Sequence, residues 1–338
     1  REQWVHLDSS VGTVVDELRA RLSGEIGISR SERTDRRWLV ADTPSDGPVR
    51  YYVYDRDDTS LTFLFAHKPA LDEYELAVME PLSFQARDGL TIHGYVTYPR
   101  GVEPVALPAV VNVHGGPWHR DVWGFDPEAQ WLANRGYACV QVNYRGSTGY
   151  GKAFGNAGDR EWGRAMHTDL LDAVDHLVVQ GRIDADRVGI YGGSYGGYAA
   201  LVGATFTPGV FRCAVDMVGP SSLITLIESV PEYWKPMIAL FHTKVGNPET
   251  ERDFLWERSP LSRVDDITIP LLIAQGKNDP RVKVEQIVAA LTEKGIDHEY
   301  LLFEDEGHGL ARPENRERFY AAVERFLAQH LGGRQQPE

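Results

Sequence analysis

RVGIYGGSYGGYAA, residues 187–200, is the stretch on which the fold turns. It opens on an apolar run of strand character, Val188 to Tyr191, and leads into helix formers, AALVGA, at 199–204. Between them stand Gly192-Gly193-Ser194-Tyr195-Gly196-Gly197. The pattern G-x-S-x-G between a strand and a helix puts the serine on a sharp, strained turn. Only small residues fit two positions before and two after it. The hydroxyl then projects from the carboxyl end of the strand, and the following helix N-terminus favours negative charge developing there. Ser194 is the candidate nucleophile.

Outward from this stretch, apolar strands alternate with amphipathic helices. The predicted strands are PAVVNVHG (108–115), YACVQVNYR (137–145), RVGIYGGS (187–194), FRCAVDMVG (211–219), PLLIAQG (270–276) and EYLLFED (299–305). Helical periodicity covers 126–135, 163–180, 195–206, 283–294 and 313–331. Unbroken apolar strands imply burial on both faces, so the sheet is mostly parallel and lies between helix layers. An extended pair, MEPLSFQA and LTIHGYVTYP, straddles Arg87-Asp88-Gly89 before the first of them. Ligands of such sheets sit beyond the carboxyl ends of the strands.

A serine hydroxyl is inert until a neighbouring imidazole takes its proton. Where the nucleophile sits on a turn of this kind, the acid and then the histidine follow it in the chain. His308 lies in Glu306-Gly307-His308-Gly309, just past the last strand, and is the candidate base. The other ten histidines read as surface or structural. The strand before ends in Gly276, and Asp279 follows three residues later as the candidate acid. Asp305 and Glu306 are its rivals by proximity, but they sit too close in sequence to reach the far ring nitrogen of His308. They read as charges that shape the histidine loop.

Acyl transfer also needs two N–H donors for the oxyanion. One is the N–H of Tyr195. The other belongs to the loop His114-Gly115-Gly116-Pro117-Trp118, where glycine lets the backbone approach a substrate. Gly116 is the first choice and Gly115 the alternative. His114 reads as a residue that locks this loop. Arg145 and the glycines of NYRGSTGYG lack the GxxxxGK[ST] pattern of a phosphate loop and read as a structured loop near the cleft.

The chain has 338 residues, 35 basic against 49 acidic, a net charge of −14. That balance argues against nucleic acid or an anionic membrane as partner. Cys139 and Cys213 sit in apolar runs and read as buried small hydrophobes. No metal or cofactor is expected: there is no HExxH and no acidic ion loop. No stretch has the length of a membrane span and REQWVHLDSS is polar, so the expected location is cytoplasmic. The first residue is not Met, which leaves Arg1 readable as a processing or fragment boundary.

Residues 1–78 have a different texture. One helix-like run, Val11 to Leu22, precedes three short strands: WLVADT (38–43), RYYVYD (50–55) and LTFLFA (61–66). Three antiparallel strands make about one sheet or one propeller blade.

HGGPW, NYRGSTGYGKAF, the helix WG…DLLDAVDHL, GGSYGGYAA, SPLSRV, QGKNDPRV and DEGHG, in this order, resemble the prolyl-oligopeptidase family of serine peptidases. The likeness covers about residues 80–331 and points to the acylaminoacyl-peptidase and dipeptidyl-peptidase-like bacterial branches. It implies an α/β-hydrolase fold at 79–332, preceded by a short antiparallel segment resembling the end of a β-propeller and followed by a polar tail at 333–338. It implies Ser194, Asp279 and His308 as triad, Gly116 and Tyr195 as backbone donors, and hydrolysis of short peptides. Two departures stand out. The acid loop has Lys283 where the family usually has proline, and only about 80 residues precede the hydrolase part, room for about one or two blades. A carboxylesterase with the same triad is the alternative function. Trp118, Tyr198, Tyr233 and Trp234 are the candidates for the substrate pocket. Trp118 reads equally as core, and segment 221–242 equally as a packing helix. Beyond a peptide or ester substrate, the open partner expectations are a homo-oligomer and the rest of a propeller from the same protein.

Overall fold

A computed structural model describes residues 4–30 and 34–336. Residues 1–3 of the polar start and 337–338 of the polar tail lie outside them. The chain begins with helix α1 (Ser9–Arg21), capped by Asp8, whose carboxylate accepts the Ser10 N–H at 2.8 Å. Strands β1 (Glu25–Arg30), β2 (Arg37–Thr43), β3 (Arg50–Asp55) and β4 (Leu61–Ala66) follow and pair antiparallel in that order. Leu18 of α1 buries against Trp38, Val40 and Tyr54 on one face of this sheet, with Val11, Val14 and Leu22 packed beside it. Its edge strand β4 leaves Phe63, Leu64 and Phe65 exposed.

The sequence predicts three strands here, and the sheet has four. The extra strand, EIGISR, offers only Ile26 and Ile28 as apolar residues, separated by Gly27. Such a short alternation is a weak strand signal.

The rest of the chain builds a second sheet of eight strands. In chain order come β5 (Met79–Gln85), β6 (Thr91–Thr97), β7 (Leu107–Val113), helix α2 (Pro127–Asn134), β8 (Ala138–Asn143), α3 (Lys152–Asn156), α4 (Ala165–Val179), β9 (Ile183–Gly193) and α5 (Tyr195–Phe206). They are followed by β10 (Cys213–Met217), α6 (Leu223–Glu228), α7 (Ile238–Lys244), α8 (Arg252–Glu257), β11 (Leu271–Gly276), α9 (Glu285–Lys294), β12 (His298–Phe303) and α10 (Pro313–Leu331). The sheet order is β12-β11-β10-β9-β7-β8-β6-β5. The strands from β12 to β8 in that order pair parallel, and β6 and β5 run antiparallel at one edge.

Every residue of β7, β8 and β11 is buried, including the polar Asn112, Gln141, Asn143 and Gln275 among their mostly apolar residues. Each fully buried Val, Leu or Ile contributes about 1.5–3 kcal/mol relative to exposure. Helices α4, α5 and α9 cover one face, and α2 and α10 the other. Helix α5 is buried on almost all sides, which is why it carries no amphipathic pattern. Segment 221–244 is not one helix. Pro231 and Pro236 divide it into α6, a 3₁₀ turn at Glu232–Met237 and α7. Cys139 and Cys213 are free and buried. No helix among the described residues is long and apolar enough to cross a membrane.

Arg145 answers the question of the NYRGSTGYG loop. Its guanidinium bonds Asp169 from β-loop to helix at 2.8 Å and Asp88 at 2.6 Å, with its own side chain 8% exposed. The charge is spent on two carboxylates that tie the turn at Asp88 to α4.

Candidate active site

The elbow after β9 is as tight as its glycines suggest. Ser194 has φ 58° and ψ −117°, a conformation an L-residue adopts only when its surroundings enforce it. A Cβ on Gly192 would lie 2.6 Å from the Gly196 carbonyl carbon, and one on Gly196 would lie 2.0 Å from the Val113 oxygen. Strand, turn and helix cross too closely for any side chain at either position. The Ser194 N–H donates to the Met217 oxygen of β10 at 2.9 Å, and the Ser194 oxygen accepts the Tyr198 N–H at 3.0 Å.

His308 and Asp279 reach this serine from the ends of β12 and β11. The His308 Nε2 lies 3.0 Å from Ser194 Oγ, and its Nδ1 lies 2.7 Å from Asp279 Oδ2. A carboxylate only accepts hydrogen bonds, so Nδ1 carries the proton and Nε2 is left as acceptor toward the serine hydroxyl. The Asp279 side chain is fully buried and that of His308 is 12% exposed. Asp279 Oδ1 accepts the N–H groups of Arg281 at 2.7 Å and Val282 at 3.3 Å, which fixes the carboxylate plane.

The two loops are joined to each other. Lys277 N–H donates to the Phe303 oxygen and Asn278 N–H to the Glu306 oxygen, both at 2.9 Å. A Cβ on Gly276 would lie 2.1 Å from the Gly307 oxygen. Glu306 turns away from the histidine ring and accepts the Ala311 and Arg312 N–H groups and the Asn315 amide. Asp305 pairs with Arg312 at 2.9 Å. Both rivals of Asp279 are therefore occupied in shaping the histidine loop.

The loop after β7 faces the elbow. A Cβ on Gly115 would lie 3.5 Å from Ser194 Cβ and 3.1 Å from the Gly193 oxygen. Gly116 is exposed, with φ +123°. Tyr195 is the first residue of α5, where an N–H has no acceptor within the helix. Its ring is core, packed 4.6 Å from Trp162 and 5.1 Å from Tyr144 between ring centres. His114 lies stacked on Tyr144 at 4.4 Å, with ring nitrogens 2.8 Å from the Gly115 oxygen and 3.0 Å from Ser147 Oγ. Burial pushes its imidazole down to about 4.

The neutral state of His114 has a measurable consequence. The unfolded imidazole takes a proton below its ordinary value near 6.5, while the folded one resists until about 4. In that window the unfolded state binds more protons, so the His114 contribution to stability falls as pH falls, by about 1.4 kcal/mol per unit. The stability difference between the protein and its His114→Gln variant, measured by denaturant unfolding, should therefore shrink at that rate from pH 6.5 toward pH 4. His167, which burial also pushes down to about 4, and buried Asp121 and Asp216 are common to both proteins and cancel in the difference.

Of the pocket candidates, Tyr198 is corrected by the structure. It is 1% exposed, and its hydroxyl donates to the Arg258 oxygen at 2.8 Å. Its position on α5 carries the ring into the layer with Trp162, 5.3 Å between ring centres. Trp118 packs edge-on against Phe241, and Trp234 stacks on the same ring at 5.7 Å. Tyr233 is exposed and accepts the Arg281 Nε–H at 3.0 Å, with the guanidinium 5.0 Å from the Trp234 ring centre. This aromatic group thus extends from the HGGPW loop to the acid loop. Phe241 and Arg281 belong to it and escape sequence reasoning, because their partners are distant in the chain.

The chain is similar to known proteins over most of its length. The chain is 47% identical to dipeptidyl aminopeptidase BIII of Pseudoxanthomonas mexicana over 349 aligned positions, covering 100% of this chain and 51% of that protein. It is 43% identical to dipeptidyl peptidase family member 6 of Caenorhabditis elegans, over 93% of this chain and 46% of the relative. A puromycin-hydrolyzing peptidase of Mycobacterium tuberculosis superposes with a TM-score of 0.79 at 30% identity, over 89% of this chain and 47% of the other. The chain spans about half the length of the curated relatives it matches. The sequence pattern described as the prolyl oligopeptidase family matches residues 123–334, which hold the elbow, the acid loop and the histidine loop alike. On this match and this fold, the chain belongs to the prolyl oligopeptidase family.

Proposed function

We propose that the protein is a serine peptidase that releases dipeptides from the amino end of short peptides through an acyl-enzyme. The observation that carries the reading is the hydrogen-bonded sequence Ser194 Oγ, His308 Nε2, His308 Nδ1, Asp279 Oδ2, at 3.0 and 2.7 Å. His308 Nε2 takes the hydroxyl proton as Ser194 Oγ attacks the scissile carbonyl carbon. Asp279 stabilises the imidazolium and holds the tautomer. The oxyanion is received by the N–H groups of Tyr195 and Gly116, with Gly115 the alternative to Gly116. His308 then gives its proton to the departing amine. Water, deprotonated by the same nitrogen, cleaves the ester and restores Ser194. Trp118, Phe241 and Trp234 supply an apolar wall for a substrate side chain.

The dipeptide preference rests on similarity to a dipeptidyl aminopeptidase and a dipeptidyl peptidase. The sheet β1–β4 is read as part of a propeller, whose remaining blades would be the partner of its exposed β4 edge. Incubating the protein with one short peptide, free and acetylated at its amino end, tests the substrate. Mass spectrometry should show the free peptide shortened two residues at a time and the acetylated one intact. Preferential cleavage of the acetylated peptide would overturn the dipeptidyl assignment. Turnover of nitrophenyl esters with no peptide cleaved would favour the esterase.

A further inference from the structure

Beneath the elbow lies a carboxyl group that the reaction above does not use. Asp216, near the end of β10, is 1% exposed. In register it sits beside Gly192 of β9 and Ile273 of β11. Its Oδ1 accepts the Gly219 N–H at 2.8 Å, which closes the turn 216–219, and its Oδ2 is buried without a hydrogen-bond partner. The turn is strained at Val218, with φ +51°, whose N–H bonds the Ala274 oxygen at 2.9 Å.

This turn touches the elbow on both sides of the nucleophile. The Met217 oxygen accepts the Ser194 N–H at 2.9 Å. The Asp216 carboxyl packs on Gly197, where a Cβ would lie 2.2 Å from Oδ1. A Cβ on Gly219 would lie 2.4 Å from the same oxygen and from the Gly197 carbonyl carbon. Elbow and turn therefore interlock with no room for either to shift alone.

We infer that Asp216 is a positioning residue for Ser194: its carboxyl holds the 216–219 turn closed under the elbow. It acts through the turn and touches no substrate. This rests on Ser194 being the nucleophile. The residues placed against the carboxyl are Gly192 of β9, Gly197 of α5, Ile273 of β11 and Gly219, none of them charged or titratable. Burial accordingly pushes the group up to about 8, opposed only by the Gly219 N–H. Below that value it is neutral. Above it, an unpaired charge in an apolar site draws in water and opens the turn. A misplacement of about 1 Å at a catalytic group costs roughly 10²-fold in rate.

The test is kcat and KM from about pH 6 to about pH 10 for the protein, Asp216→Asn and Asp216→Ala. The unaltered protein should lose kcat above about pH 8, up to tenfold per unit, with KM unchanged. Asp216→Asn keeps the carbonyl acceptor for Gly219 and cannot ionise. It should hold kcat at neutral pH within about threefold and lack the alkaline loss. Asp216→Ala should lose about 10²-fold in kcat at every pH with little change in KM. An alkaline limb that persists in Asp216→Asn would overturn the inference, because Asp121, also pushed up to about 8 by burial, is intact there. So would a normal kcat in Asp216→Ala. If the alanine variant does not fold, the asparagine profile decides alone. Turnover surviving in Ser194→Ala would instead remove the nucleophile assignment itself.

Discussion

Ser194→Ala should lower kcat by about 10⁶-fold while leaving the unfolding midpoint unchanged. The size follows from what the hydroxyl does: without it there is no covalent intermediate, and His308 has no proton to take. What survives is binding plus the oxyanion donors, which in other serine hydrolases leave about 10³–10⁴-fold over water. Stability should not suffer. The contacts that hold the turn are backbone ones, Ser194 N–H to Met217 and Tyr198 N–H to the Ser194 oxygen, and alanine keeps both. Alanine also inherits the same φ of 58°, so the strain is common to both proteins. Steady-state turnover together with thermal unfolding checks the prediction. A loss below about tenfold would contradict it, and a collapsed midpoint would show that the turn depends on the hydroxyl.

Asp279→Asn should cost about 10⁴-fold in kcat at neutral pH, by a route visible in the hydrogen bonds. Asp279 Oδ1 accepts two N–H groups, those of Arg281 and Val282. An asparagine oxygen will stay there, because an amide NH₂ cannot face two donors. The NH₂ then takes the place of Oδ2 and donates toward His308 Nδ1. The ring must move its own proton to Nε2, the nitrogen that faces Ser194. In that tautomer it cannot act as base. KM should change little, since the side chain is buried away from solvent. A loss of less than about tenfold would mean that another group, with Asp305 and Glu306 as the sequence rivals, orients the ring.

How much of this could be read from the chain differs by residue. Ser194, Asp279 and His308 each stand in a glycine-bounded loop just past an apolar strand, so a local pattern and the parallel sheet suffice to bring them to one edge. Glu306 is ambiguous in sequence and unambiguous in space: its oxygens are taken by Ala311, Arg312 and Asn315. Tyr198 misleads because α5 is buried all round, so no polar stripe marks the face that meets the cleft. Phe241 and Arg281 are invisible because the aromatic group forms only when α7 and the acid loop meet. Asp216 sits in an apolar strand as one polar letter, and only the crossing of Gly197 and Gly219 shows what it presses on.

The central claim is that Ser194 is the nucleophile set against His308 and Asp279. Reaction with a fluorophosphonate, followed by digestion and mass spectrometry, tests it most directly. One phosphonyl group should be found on the peptide that carries Ser194, with no adduct in Ser194→Ala and strongly slowed labelling in Asp279→Asn. An adduct on any other residue, or labelling that persists in Ser194→Ala, would contradict the claim.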